Sequence, residues 1–413
     1  MKTVGIIAEY NPFHNGHQRQ ISYIRKNCDA DYIVAVMSGD FVQRGTPALL
    51  SKHLRTKAAL HCGIDLVLEL PVSVSSASAE LFAKGGVEIL DGIGVTDFLC
   101  FGSEEGTLSL FQETAEVLSG EPAEYQHLLK SALKTGQSFP AARCLALTEY
   151  ICHTQKKLDE NTCRRFLAQP NNILGIEYCK ALLRQNSRIQ LLTLKREGAG
   201  YHEQALSLSQ APSASGIRNH VKTAGAFHPS ALEGLLPRAS LDLLASAVSD
   251  SRLIFEEDLD SLLFYCLLSE DQESLCRYQD VSCELASRII RMRNQYKGFL
   301  QFAELLKTRD LTQTRIQRAL LHILLHIRNM PAPVGYARVL GFRKDSAPLL
   351  SAIKKKGRIP LLTKAADASK ILDESSLRIF QETVFASNLY ESLLAHKNGT
   401  DFVHENQKPV VIL

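Results

Sequence analysis

Two histidines three positions apart, His14 and His17, with Gly16 between them, are the residues of this chain whose types and spacing point most directly to chemistry. They close the string IIAEYNPFHNGH (Ile6 to His17), a short apolar run that ends in a polar turn and feeds a helix-like stretch. The first turn of a helix leaves backbone N–H groups unpaired and directs the positive end of its dipole outward. Gly16 removes the side chain where a phosphate must approach that backbone, and His14 and His17 can donate ring N–H bonds to oxygens that gain charge during phosphoryl displacement. Read alone, the same turn is also an ordinary strand-to-helix connection with polar surface histidines, because short motifs recur by chance. The pair does not follow the HExxH spacing of a zinc-binding helix, so no metal is expected on these histidines.

The elements around the turn decide between those readings. Val4 to Ala8, Tyr32 to Met37, Leu66 to Leu70 and Phe98 to Phe101 read as strands, each rich in Val, Ile, Leu or Phe. Gly16 to Lys26, Ser51 to His61, Ser78 to Leu90 and Thr107 to Leu118 read as the helices between and after them. This alternation predicts an α/β fold, a Rossmann-like doubly wound parallel sheet with helices on both faces, and the first strand-to-helix connection is where such sheets hold ligands. Glu121 to Thr162 reads as helical, Asn172 to Gln185 as a further helix, and Ile189 to Lys195 as another strand ending in the turn Gly198 to Gly200. Ser213 to Ser215 then caps a helix beginning near Gly216. Beyond Pro229 helical periodicity dominates, as in Leu259 to Leu268, Cys283 to Arg293 and Ile316 to Ile327. We therefore expect a nucleotide-binding domain over 1–228 and a mainly helical one over 229–413, the latter with helices broken at Pro331 and Pro333 and a basic turn KKKGR before a small strand at Ile359 to Leu362.

Composition narrows the partners. At 413 residues and 45% hydrophobic content the chain can bury more than one core, and no run of about 18 apolar residues exists to span a bilayer. The opening MKTVGIIAEY leads directly into a strand and not into a signal peptide, so no membrane partner and a cytoplasmic location are expected. Ten scattered cysteines without a CxxC pair fit a reducing compartment and buried thiols. The net charge of +3 conceals an asymmetry: Arg288 to Lys370 holds 18 Lys or Arg against 4 Asp or Glu. A basic segment in an otherwise acidic chain is an electrostatic footprint for a polyanion, although a charge run also serves simply as a soluble surface.

The HxGH spacing resembles the signature of the HIGH-type class I nucleotidyltransferase superfamily, and the whole string AEYNPFHNGH resembles the opening of the tRNA(Met) cytidine acetate ligase family. MSGDFVQRG (Met37 to Gly45), GIDLVLELP (Gly63 to Pro71), FGSE (Phe101 to Glu104), PNNILGIEY (Pro170 to Tyr178), KREGAGYH (Lys195 to His202), SASGIR (Ser213 to Arg218) and ARVLGF (Ala337 to Phe342) resemble that family's blocks in order. The resemblance implies that ATP is bound by Ile7, Ala8, Glu9, Tyr10, Asn11, Pro12, Phe13, His14, Asn15, Gly16, His17, Gln18, Arg19 and Gln20, together with Gly102, Asn171 or Asn172, and Arg196.

Adenylation needs an anionic nucleophile to reach the α-phosphate of ATP while pyrophosphate leaves, so the site must neutralise charge and fix an in-line geometry. His14 and His17 are the candidates for contacting the phosphates, and neither need act as a base toward a carboxylate already ionised at neutral pH. Ser215 and Arg218 resemble the superfamily's second phosphate-binding element, with Gly216 where that element carries Thr; an ordinary helix N-cap is the plain alternative. Asn-Asn is equally a helix cap, Arg196 a surface charge and Gly102 a strand-ending glycine. Asp40, Gln43 and Arg44 follow the second strand and are candidates for holding acetate or the acceptor base, and Lys52, Arg55 and Lys57 for a basic rim. Arg315, Arg318, Arg343, Lys344, Lys354, Lys355, Lys356 and Arg358 are candidates for RNA phosphates. The resemblance implies an ATP-dependent ligase that activates acetate and acetylates the wobble cytidine of elongator tRNA(Met), with Mg²⁺ as the companion of ATP. The alternatives are a small-molecule adenylyltransferase of cofactor metabolism and a non-catalytic RNA-binding protein.

Overall fold

The computed structural model describes residues 1–155, 159–196, 213–223, 228–328 and 330–413. The expected turn Gly198 to Gly200 lies outside them. The strands are β1 (Thr3–Ala8), β2 (Tyr32–Ser38), β3 (Phe41–Val42), β4 (Thr46–Pro47), β5 (Leu66–Leu70), β6 (Phe98–Ser103), β7 (Gln190–Lys195), β8 (Ala337–Phe342), β9 (Leu361–Leu362) and β10 (Val411–Ile412). Five of them form a parallel core in the order β5-β2-β1-β6-β7, flanked by helices Asn15–Cys28, Lys52–His61, Ala79–Gly92, Leu108–Gly120 and Pro170–Arg184. The strand order reverses at β1, and the crevice between the carboxyl ends of β1 and β6 is the switch point at which such sheets bind ligands.

Side-chain alternation explains why helices cover both faces. In β2, Ile33, Ala35 and Met37 join one buried cluster with Ile21 and Ile24, while Val34 and Val36 join another with Phe82, Val87 and Leu90. A period of two thus sends successive apolar residues to opposite sides, and each side needs its own helical layer. The expected helical stretch from Glu121 is three helices, Ala123–Lys134, Phe139–Gln155 and Glu160–Ala168, packed beside Pro170–Arg184.

The segment after residue 228 is mainly helical but also adds strands to the sheet of the first part. Its helices Asp260–Ser269, Cys283–Met292, Phe299–Leu306 and Gln313–Leu324 do enclose a separate apolar cluster, closed by Phe41 and Val72 from the first part of the chain and by Tyr390 of the last helix, Glu374–Asn398. ARVLGF, however, is β8, which pairs antiparallel with β5 from Leu66↔Phe342 to Glu69↔Arg338 and carries β9 and β10 on its outer edge. The physical reason lies in β5: all five of its residues are buried, so LVLEL cannot stand as an open edge and is covered by a strand from far along the chain. A buried ionic cluster fastens this junction. Lys52 Nζ lies 2.6 Å from Glu69 and 2.8 Å from Glu405, and Arg338 bonds the same two carboxylates at 2.7 and 2.6 Å. No helix among the described residues is long and apolar enough to cross a membrane.

Candidate active site

β1 ends at Ala8, and the chain turns through Tyr10, with φ of 48°, and a cis Asn11–Pro12 peptide before entering the helix Asn15–Cys28. His14 is the N-cap of that helix. Its Nδ1 accepts the Gly16 N–H at 3.1 Å, and its own N–H donates to His17 Nδ1 at 3.2 Å. The two rings stack with centroids 3.8 Å apart. An imidazole whose Nδ1 accepts carries its proton on Nε2, so each neutral ring retains one N–H donor. Burial, reinforced by Arg196 and Arg218, lowers the His14 pKa to about 3, and burial with its ring neighbour His14 holds His17 well below the usual histidine range. Both are therefore neutral donors at physiological pH.

This arrangement changes what the helix start offers. The Asn15 N–H bonds the Leu235 carbonyl at 2.9 Å, Gly16 bonds His14, and the N–H groups of His17 and Gln18 turn to the His14 carbonyl. The backbone donors expected to hold a phosphate are spent inside the protein, which leaves that task to side chains. Gly16 likewise makes room for a ring: a Cβ there would meet His14 Cε1 at 2.8 Å.

A cavity of about 400 Å³ opens at this end of the sheet, within the roughly 300–1,000 Å³ typical of small-molecule sites. Ile7, Ala8, Glu9, Tyr10, Asn11, His14, His17 and Gln20 border it from the first loop, Gln43 and Arg44 from the β3–β4 turn, and Gly102 from the end of β6. Asn171, Arg196, Ser215 and Arg218 border it as well, so three arginines line one space. Ser213 caps the helix Ala214–Thr223 by accepting the Gly216 N–H at 3.0 Å. The first N–H groups of this second helix lie at the cavity wall, and Arg218 bridges it to the first loop through the Asn11 carbonyl at 2.7 Å and Ser215 Oγ at 3.1 Å. Gly102 lacks a side chain where the Arg196 stem crosses, 3.3 Å from where its Cβ would stand.

Other expected site residues are placed elsewhere. Asn172 is fully buried, its side-chain oxygen accepting the N–H groups of Glu104 and Glu105 and its amide donating to Phe166 O and Gln169 Oε1; it holds the FGSE turn and has nothing left for a ligand. Asp40 is buried beside Lys52, accepts the Lys52 N–H at 2.7 Å, and does not border the cavity. Lys52 and Arg55 are not a basic rim, being 0% and 1% exposed. Arg55 instead clamps the carbonyls of Glu9, Ser38, Gly39 and Leu50, tying the ends of β1 and β2 together beneath the site. Pro12, Phe13, Asn15, Gly16, Gln18 and Arg19 stand behind or beside the wall; Gln18 bonds Cys62 O and Asn15 bonds Gly234 O. The wall also includes Phe82, Phe101, Glu104, Gln169, Leu174 and Tyr178. Glu104, Leu174 and Tyr178 sit inside the FGSE and PNNILGIEY blocks, whereas Phe82 belongs to an ordinary apolar helix face that carries no local signal.

The HIGH Nucleotidyl Transferase family model matches residues 1–405. The tRNA(Met) cytidine acetate ligase of Acetivibrio thermocellus is 39% identical over 407 residues, covering 96% of both chains, and that of Clostridium acetobutylicum is 38% identical over 88% of this chain and 90% of its own. The chain belongs to the tRNA(Met) cytidine acetate ligase family. Two crystal structures of Thermotoga maritima TmcAL cover both chains completely, the apo form at TM-score 0.93 and 30% identity and the form bound with alpha-thio ATP at TM-score 0.88 and 31% identity.

In this ligase-family chain the basic residues divide between the two ends of the sheet. Arg358 pairs with Asp91, and with Lys356 it borders a groove beside Lys2, which precedes β1, and Phe98 and Gln190, at which β6 and β7 begin. Arg343 donates its N–H to Asp65, just before β5, and Lys344 donates to Leu413. Lys354 and Lys355 share the last turn of the helix Ala347–Lys356. The cavity is at the opposite ends of these strands, about 17 Å away along the six residues of β1. Arg318, by contrast, packs against Gly45 beside Gln43 and Arg44 and pairs with Asp280 at 3.2 Å, and Arg315 opens the same helix on the cavity side of the sheet. Among the described residues no group of three or more His, Cys, Asp or Glu could hold a metal ion.

Proposed function

We propose that the protein activates acetate with ATP as acetyl-adenylate and transfers the acetyl group to the wobble cytidine of elongator tRNA(Met), giving N(4)-acetylcytidine. The observation that carries this reading is the near full-length correspondence to named tRNA(Met) cytidine acetate ligases, joined to a cavity where two neutral histidines and three arginines converge. The chemistry follows from those groups. Arg196, Arg218 and Arg44 supply the fixed positive charge that holds a triphosphate in a partly buried site, where charge-assisted bonds are strong. The Nε2–H donors of His14 and His17 stabilise the oxygens of the α-phosphorus as the acetate oxygen adds and pyrophosphate departs. Because both rings are neutral, they donate without adding repulsion among the nearby guanidinium groups.

Magnesium belongs to this proposal as a companion of the ATP phosphates, which carry it largely hydrated. The described residues form no protein cage for it, and no step here is assigned to it. The cytidine, unstacked from its loop, enters from the cavity mouth. Arg315 and Arg318 flank the cavity side for its phosphates, while Lys354, Lys355, Lys356, Arg358, Arg343 and Lys344 serve a more distant part of an RNA long enough to reach the other end of the sheet.

Incubation with ATP, labelled acetate and total tRNA, followed by digestion to nucleosides, tests the reading. Label is expected in cytidine and only when ATP is present. Full ATP turnover without RNA, yielding a stable adenylylated metabolite, would support a small-molecule adenylyltransferase instead.

A further inference from the structure

We infer that Glu9 is the catalytic base of the second half-reaction, taking the proton that the cytidine amine must lose when it is acetylated. The inference rests on the proposed ligase reading. The exocyclic amine of cytidine shares its lone pair with the ring and is a weak nucleophile. As its nitrogen forms the new bond to the acetyl carbonyl carbon, the carbon–oxygen bond to AMP breaks and AMP leaves with that electron pair. The nitrogen then carries one proton too many, and a group within reach must accept it.

Few groups among the described residues of the cavity are able to do so. The histidines are excluded by their bonding: each Nδ1 already accepts a backbone N–H and each Nε2 already carries a proton. Tyr10 and Tyr178 have their ionisation pushed up by burial, so neither hydroxyl is a phenolate near neutral pH. Of the two carboxylates that the described residues bring to the wall, Glu104 is committed, its Oε1 to the Asn171 N–H and side-chain amide and its Oε2 to the Asn172 N–H. Glu9 differs. Its Oε1 accepts the Gln43 N–H at 3.0 Å, while its Oε2 has no hydrogen-bond partner among the described residues. Its main chain is fixed as well, since Arg55 donates to the Glu9 carbonyl at 2.6 Å. A carboxylate held by one oxygen on a fixed main chain, on a residue that borders the cavity and with its other oxygen unpartnered among the described residues, is placed to receive a proton and pass it to solvent after AMP departs.

The test separates the half-reactions. Glu9→Gln keeps an acceptor for the Gln43 N–H but cannot take a proton. Acetate-dependent exchange between ATP and pyrophosphate is measured alongside, so that any loss in forming the adenylate is divided out of the transfer rate. Single-turnover transfer from enzyme-bound acetyl-adenylate to tRNA is expected to fall by roughly 10²–10⁴. Full transfer by the variant would assign the proton to the departing phosphate and overturn the inference, as would equal losses of exchange and transfer. Should Glu9→Gln not fold, Glu9→Ala takes its place, and full transfer by it would overturn the inference too. An unsubstituted protein with neither exchange nor tRNA labelling would sink the ligase reading itself, a result distinct from all of these.

Discussion

Gly16→Ala is the substitution whose outcome the structure fixes most sharply, because two effects oppose each other there. Alanine is the better helix former by up to about 1 kcal/mol, so an exposed first-turn glycine replaced by alanine normally stabilises. Here the added Cβ would stand 2.8 Å from His14 Cε1 and 3.0 Å from Nδ1. Carbon atoms prefer about 3.5–4.0 Å, so the ring must retreat by roughly 0.7 Å. Retreat stretches the cap bond now at 3.1 Å, and loss of an N-cap costs about 1 kcal/mol. Stability should therefore change little, by less than about 2 °C in melting temperature. Activity should not be spared. The displaced ring is stacked on His17 at 3.8 Å, so the shift passes to the second imidazole. A 1 Å misplacement of a reacting group can cost about 10²-fold, so acetate-dependent exchange between ATP and pyrophosphate should fall roughly 10- to 100-fold. A variant that exchanges at the parent rate and gains the full alanine stabilisation would refute the argument that the glycine exists to seat the imidazole.

Three further outcomes follow from buried and surface charge. Lys52→Met removes the ammonium between Glu69 and Glu405 and leaves Arg338 to serve both, so chemical denaturation should show a loss of about 3–5 kcal/mol; an unchanged midpoint would mean that one carboxylate is protonated in the fold. The folded His14 pKa of about 3 lies below the unfolded value, so the unfolded chain binds more protons below about pH 6.5 and stability falls as the pH drops toward 3. Urea unfolding should show His14 alone contributing a loss of roughly 1.5–2 kcal/mol between pH 6.5 and 5, absent in His14→Asn and absent above pH 7. Replacing Lys354, Lys355 and Lys356 by Glu should leave acetyl-adenylate formation unchanged, since they lie at the far end of the sheet, and should lower the salt slope of tRNA binding by about 2; a loss of ATP affinity would contradict that separation.

The fold and the first half of the site were legible because they rest on local, periodic signals. The strand expected over Leu66 to Leu70 is β5 itself, and the other strands of the parallel core fall within two residues of their expected ends, because strands covered on both faces read as short continuous apolar runs bounded by turn residues. Asp40 and Asn172 were not legible as structural residues, since a polar side chain after a strand or in the first turn of a helix looks the same whether it meets a ligand or the protein's own buried groups. The covering of β5 by β8 was not legible, since nothing local names a partner some 270 residues away.

From its sequence alone the chain determined a nucleotide-binding sheet, a histidine pair at its mouth and a basic segment downstream, all set by residue type and near-neighbour spacing. Only the tertiary structure decided the protonation and the committed partners of those groups. It spent the first helix's backbone donors on His14 and Leu235, buried Lys52 and Arg55 beneath the loop, and divided the basic residues between the two ends of the sheet. Whether a polar group is free to act depends on what it already bonds and how far it lies from water, and both are properties of long-range packing that no local pattern encodes.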